Sequence, residues 1–175
     1  MICIPIVGPT QKKSLEDIAK AESLADVLEL RLDLMSDYDL RALLSAANKP
    51  CIVTNRTKRE GGQFSGSEEQ RIDVLKQAMD AGAEYVDIET STPKELLQPF
   101  LESKHISKII LSYHNFTDTP EALEHLYELM CGMPADILKI VTYARDITNN
   151  LALFNLIYRS KKDGKKLIAL CMGER

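Results

Sequence analysis

Lys139 is the residue of this chain most open to chemistry, because it stands inside an apolar, β-branched run, Asp136-Ile137-Leu138-Lys139-Ile140-Val141-Thr142. A strand there would bury it, and burial favours the neutral amine, the form that attacks a ketone. One apolar run earlier, Lys108-Ile109-Ile110-Leu111-Ser112-Tyr113-His114 ends in a histidine able to move protons beside that amine. An amine and an imidazole at the ends of consecutive strands point to carbonyl chemistry through a Schiff base. The bland alternatives are a lysine snorkelling to solvent and a hydrogen-bonded strand-end histidine. Apolar flanks on both sides of Lys139 favour the functional reading. His105 and His125, in helical or loop contexts, are expected to face solvent.

The elements that would position these two groups repeat along the whole chain: a short apolar run, a polar loop, then an amphipathic helical stretch. Strands are expected near residues 2–7, 26–32, 51–55, 85–89, 108–113, 137–142 and 166–171, with a helical pattern in each gap. Such β/α alternation builds parallel sheets. Helix starts are expected at Ser14 before Leu15-Glu16-Asp17, at Ser67 before Glu68-Glu69-Gln70, and at Thr119-Pro120-Glu121. Gly82, Gly132 and Gly164 fall where helices should stop.

Polar residues inside the strands decide between an open sheet and a barrel. In Glu29-Leu30-Arg31-Leu32-Asp33 the charges alternate with leucines, so a strand separates them onto opposite faces. Asp87 and Glu89 alternate with Val86 and Ile88, and Ser112 shares a face with His114. Ionisable groups gathered toward strand C-termini fit the catalytic mouth of a barrel, whereas a sheet sandwiched between helices should be apolar on both faces. The expected class is therefore α/β, a TIM-type (β/α)8 barrel forming one domain over residues 1–175. About seven strands can be read where such a barrel has about eight, so the expectation is a barrel C-terminally incomplete after its seventh strand. Exposed strand edges would then make it associate or lose solubility.

Composition narrows the function classes. The 175 residues are 45% hydrophobic, enough for one core, and 22 Lys and Arg against 26 Asp and Glu leave a net charge of -4. The basic residues are scattered, which argues against a nucleic-acid partner. Cys3, Cys51, Cys131 and Cys171 form no C-x-x-C pair and are expected to be reduced, mostly buried thiols of a cytoplasmic protein. The apolar start, Met1-Ile2-Cys3-Ile4-Pro5-Ile6-Val7-Gly8, reads as a first strand, and no stretch is long enough to span a membrane. No cluster has metal-ligand spacing, and no metal or other cofactor is expected.

Five segments, in order, carry a family resemblance: Glu29-Leu30-Arg31-Leu32-Asp33, Asn55-Arg56-Thr57-Lys58-Arg59-Glu60-Gly61-Gly62, Val86-Asp87-Ile88-Glu89, Ser112-Tyr113-His114-Asn115-Phe116 and Asp136-Ile137-Leu138-Lys139. In these the chain resembles type I 3-dehydroquinate dehydratase, the Schiff-base enzyme of the shikimate pathway, over essentially its whole length. The resemblance implies that Lys139 condenses with the C3 ketone of 3-dehydroquinate. It also implies that His114 takes the C2 proton and protonates the leaving C1 hydroxyl, while Glu89 orients the imidazole. Glu29, Arg31 and Arg56 would bind the polyhydroxylated carboxylate. A structural ion-pair network is the rival reading of Glu29 with Arg31, and a solvated loop that of Arg56 and its charged neighbours. Glu60-Gly61-Gly62 could form a mobile loop over the mouth, and Arg145-Asp146 a helix start without a catalytic part.

The resemblance further implies a homodimer and, in some longer parent chains, fusion to shikimate dehydrogenase. No G-x-G-x-x-G occurs in these residues, so that second activity is not among them. Family members continue past the Met-Gly of strand seven with a carboxylate-binding arginine, a lid loop bearing serine and glutamine, and an eighth strand and helix; strand one carries Pro5 where many have a small polar residue. Two competitors stand beside this reading. A class I aldolase-type barrel would use a lysine on the same strand, but no glycine-rich phosphate loop is present. A non-catalytic barrel fragment would bind without turnover.

Overall fold

A computed structural model of the chain describes residues 1–103 and 106–173. It divides into two compact units, Met1–Ile88 with Ser103–Lys108, and Glu89–Glu102 with Ile109–Arg175. His105 lies outside the described residues, whereas His125 faces solvent as expected.

The first unit alternates β1 (Cys3–Ile6), α1 (Gln11–Ala21), β2 (Val27–Arg31), α2 (Leu40–Ala46), β3 (Cys51–Thr54) and α3 (Glu68–Asp80), then enters β4 (Tyr85–Glu89). The strands pair in parallel and in sequence order, with Ile4 beside Leu28, Leu30 beside Val53 and Val53 beside Val86. Ile6, Ile18, Leu28, Leu30, Leu43, Val53, Leu75 and Val86 fill its core. Each large aliphatic side chain so buried stabilises the fold by about 1.5–3 kcal/mol relative to exposure. α3 begins with a reciprocal cap: the Ser67 hydroxyl accepts from the Gln70 N–H, and the Gln70 side chain accepts from the Ser67 N–H. Ile72, Leu75 and Met79, spaced three and four apart, then form its buried side.

The second unit holds α4 (Lys94–Glu102), β5 (Lys108–His114), α5 (Leu123–Cys131), β6 (Ile137–Tyr143), α6 (Ile147–Lys162) and β7 (Leu167–Met172). β5 pairs with β6 and β6 with β7, all parallel. Its core contains Phe100, Ile110, Leu111, Tyr127, Leu138, Ile140, Leu153 and Leu156. Asp146 caps α6 by accepting from the Thr148 N–H and completes a second reciprocal cap with Asn149, so the Arg145-Asp146 helix start is confirmed.

The seven expected strands fall within one or two residues of those observed, but several local expectations are corrected. Ser14 does not cap α1; Thr10 does, and Ser14 lies buried inside the helix, donating to the Gly8 carbonyl. Helical spacing turns it inward, which its residue type alone does not disclose. Pro120 precedes α5, whose cap position is Ala122, because the turn after β5 consumes the intervening residues. All four cysteines are free, yet only Cys51 is buried; Cys3 is exposed and Cys131 and Cys171 are intermediate.

Candidate functional site

β2 and β3 put their polar residues on one face, as the alternation requires. Leu28 and Leu30 are wholly buried, while Glu29 and Arg31 retain partial exposure. Arg31 is gripped by Asp33 through two bonds, Nε to Oδ1 at 2.9 Å and Nη2 to Oδ2 at 2.8 Å. That carboxylate holds the guanidinium pKa above its ordinary value, against the opposing effect of burial. Glu29 accepts from the Thr54 hydroxyl at 2.7 Å. Thr54 in turn lies beside Arg31 on one side and Asp87 on the other in the strand register. Arg31, Thr54 and Asp87 thus form one polar row across three strands.

Arg56 is not part of a solvated loop. Its Nη2 meets Asp87 Oδ1 at 2.8 Å, and both side chains are removed from solvent. Burial of two charges is tolerable only when they are paired, so each residue fixes the other. The glycine turn beyond is built against this arginine: Gly62 N–H donates to Thr57 O at 2.8 Å and Phe64 N–H to Arg56 O at 3.1 Å. Gly61 takes a left-handed φ of 77°, and a Cβ at Gly62 would stand 2.1 Å from the Arg56 carbonyl oxygen. The expected mobile loop is in this structure a hydrogen-bonded turn.

In the second unit, Lys139 pairs in register with Ser112 of β5 and Ile168 of β7. Thr90 N–H donates to the Ser112 carbonyl at 2.8 Å, which sets Glu89 alongside Ser112. Glu89, Ser112 and Lys139 therefore occupy one level of successive strands, and His114 lies two residues farther along the Ser112 side of β5. Glu89 and Ser112 are buried; His114 and Lys139 are half-buried. The expectation that a strand would bury Lys139 is corrected here. Leu138 and Ile140 point into the core, and alternation puts Lys139 on the opposite, polar face.

His114 ends β5 and is held by the turn after that strand. Its ring stacks on Phe116, with centroids 6.4 Å apart and planes 19° apart. Asn115 N–H donates to the Val141 carbonyl at 2.8 Å. The Asn115 side-chain oxygen accepts from Thr117 and Asp118 N–H, forming the turn, and Arg145 Nε ties that turn to β6 through the Thr117 carbonyl at 2.8 Å. Asn115, Thr54, Asp87 and Asp33 are the supporting residues to which sequence reasoning gave no role. Asp33 and Asp87 carry the polar alternation of their segments and Asn115 the turn-type run Asn115-Phe116-Thr117-Asp118, whereas Thr54 carries no local signal. Among the described residues, no group of three or more His, Cys, Asp or Glu side chains is placed to hold a metal ion. No helix among them is long and apolar enough to cross a membrane.

Known proteins share the fold of this chain. A solved type I 3-dehydroquinate dehydratase from Clostridium difficile, carrying covalently modified comenic acid, matches 97% of this chain and 74% of its own with a TM-score of 0.87 at 22% identity. The fold class is accordingly the α/β, TIM-type barrel class, with seven strands among the described residues. The 3-dehydroquinate dehydratase of Dehalococcoides mccartyi is 42% identical over 166 residues, covering 94% of this chain and 72% of that protein. A bifunctional 3-dehydroquinate dehydratase/shikimate dehydrogenase of Arabidopsis thaliana is 36% identical over all of this chain and 30% of its own length. The family model for type I 3-dehydroquinase matches residues 2–175. With every quoted segment inside that match, the chain belongs to the type I 3-dehydroquinase family.

Proposed function

We propose that this chain dehydrates 3-dehydroquinate to 3-dehydroshikimate through an imine on Lys139, as a hydro-lyase of aromatic amino-acid biosynthesis. The observation that carries the reading is the shared level of Glu89, Ser112 and Lys139, with His114 one step along the same face. Lys139 Nζ adds to the C3 ketone and the carbinolamine loses water, leaving an iminium that acidifies the C2 proton. His114 removes that proton and returns it to the C1 hydroxyl, which departs as water. Hydrolysis of the imine frees product and amine. Glu89 orients the imidazole. Glu29, Arg31 and Arg56 contact substrate oxygens, the arginines as donors and the carboxylate as acceptor. No cofactor enters these steps.

The same reading takes residues 1–175 as a single barrel domain acting in the cytoplasm as a homodimer. Fusion to a shikimate dehydrogenase is compatible with the bifunctional Arabidopsis relative. The decisive experiment is borohydride reduction in the presence of 3-dehydroquinate, followed by intact mass and peptide mapping. One adduct on Lys139, absent from Lys139→Met, is expected. Turnover that survives in Lys139→Met, or an adduct on another lysine, would overturn the assignment.

A further inference from the structure

Glu29 and Thr54 meet across adjacent strands but not at the same level. In the pairing of β2 with β3, Glu29 lies beside Ile52, whereas Thr54 lies beside Arg31, two residues farther along. The 2.7 Å bond from the Thr54 hydroxyl to Glu29 Oε1 therefore runs diagonally. Two residues of a parallel strand rise about 6–7 Å, so the bond holds the glutamate side chain extended toward the C-terminal ends of the strands. Its carboxylate is drawn out of its own level, where the neighbour is the aliphatic Ile52, and into the polar row of Arg31, Thr54 and Asp87.

Thr54 is suited to holding a carboxylate there. It is 1% exposed, on a strand flanked by β2 and β4. A β-branched side chain so enclosed has few rotamers, and its hydroxyl keeps a fixed direction. The donor is also neutral. Arg31 is gripped by Asp33 and Arg56 by Asp87, each through an opposite charge. A hydroxyl fixes a carboxylate without cancelling its charge, and it occupies one of the roughly four acceptor positions that the two oxygens offer.

We infer that Thr54 is a positioning residue for substrate binding: its hydroxyl sets the Glu29 carboxylate at the level of Arg31, so that acceptor and donor meet neighbouring oxygens of one polyhydroxylated substrate. This rests on the reading above that Glu29 and Arg31 bind 3-dehydroquinate, and it adds what places the acceptor. Thr54 acts through Glu29 and touches no reacting atom. Without the bond, the flexible glutamate must be ordered by the substrate itself, and that cost is taken from binding.

The initial rate of borohydride-trapped adduct formation on Lys139, followed against 3-dehydroquinate concentration in the full chain, reads substrate binding apart from the later steps. Thr54→Val keeps the β-branched shape and removes the hydroxyl. Its half-saturating concentration should rise about 10-fold, as for one lost hydrogen bond to a charged group, with the saturated rate within about 2-fold of the parent. Thr54→Ser keeps the hydroxyl and should recover most of that rise. In a Glu29→Ala background, Thr54→Val should add less than about 2-fold, because no carboxylate remains to be placed. A merely structural threonine would lower the urea midpoint and act alike with Glu29 present or absent. An unchanged half-saturation in Thr54→Val, a serine variant no better than valine, or equal effects in the two backgrounds would each overturn the inference while the Lys139 adduct upholds the reading beneath it. A parent chain that forms no Lys139 adduct would overturn both.

Discussion

Arg56 and Asp87 meet at 2.8 Å with 4% and 0% of their side chains exposed, which makes them a buried ion pair holding the loop after β3 to the middle of β4. Breaking such a pair is costlier than replacing it, since the surviving charge has no water to turn to. Asp87→Ala should lower stability by about 3–5 kcal/mol, and an Arg56→Met/Asp87→Leu double variant should recover most of it. Urea titrations of Arg56→Met, Asp87→Leu and the double variant give the cycle, with Asp87→Ala measured beside them. A loss below about 1 kcal/mol in Asp87→Ala would mean that the pair behaves as a surface contact.

Gly62 has no room for a side chain, because its Cβ would lie 2.1 Å from the Arg56 carbonyl oxygen. Gly62→Ala must therefore open the turn, at a cost of about 1–3 kcal/mol. The opening displaces Arg56 but leaves the second unit's residues alone. A raised KM for 3-dehydroquinate, with undiminished borohydride adduct on Lys139 at saturating substrate, is the expected outcome. An unchanged KM would detach Arg56 from substrate binding.

Alternation along the strands makes the polar sides of β2, β4 and β5 readable from sequence: Glu29 with Arg31, Asp87 with Glu89, and Ser112 with His114 can each be assigned from period two alone. Partnerships are not readable, because they join residues far apart in sequence. Nothing near Arg56 announces Asp87, and the run of charges beside it, Lys58-Arg59-Glu60, looks solvated although Glu60 is buried. The burial of Lys139 is overestimated from sequence for a related reason. Apolar neighbours in sequence are not neighbours in space when alternate residues face opposite ways. Helix starts are legible where the capping residue and its reciprocal partner stand three apart, as at Ser67 and Gln70. They are misread where a serine merely resembles a cap, as at Ser14.

Burial pushes the Cys51 thiol up from 9.0 to about 11, with the Glu22 carboxylate adding to the effect. The proton is held more tightly in the folded chain than in the unfolded one. The corresponding stability is thus complete below about pH 9 and is lost as pH rises through about 11. On the order of 2 kcal/mol should disappear across that window, and Cys51→Ala should lack this part of the alkaline loss. Comparing urea midpoints of the two proteins at each end of the window isolates it from lysine and tyrosine titration. The same burial makes Cys51 slower than the exposed Cys3 to alkylate near neutral pH.

His114 and Glu89 separate by their readouts. His114→Asn removes the proton carrier but leaves the amine, so kcat should fall by about 10²–10⁴-fold while borohydride still traps an adduct on Lys139. Glu89 is buried beside Ser112 and, in the proposed mechanism, acts only through the imidazole. Glu89→Gln keeps the shape and removes the negative charge, which stabilises a protonated imidazole less well. The acid limb of kcat/KM should consequently move to lower pH, with a smaller loss of kcat than in His114→Asn. A structural role for Glu89 would lower stability and leave that limb in place. Loss of trapping in His114→Asn would instead mean that the histidine is needed to form the imine, and its role would have to be reassigned to the carbinolamine step.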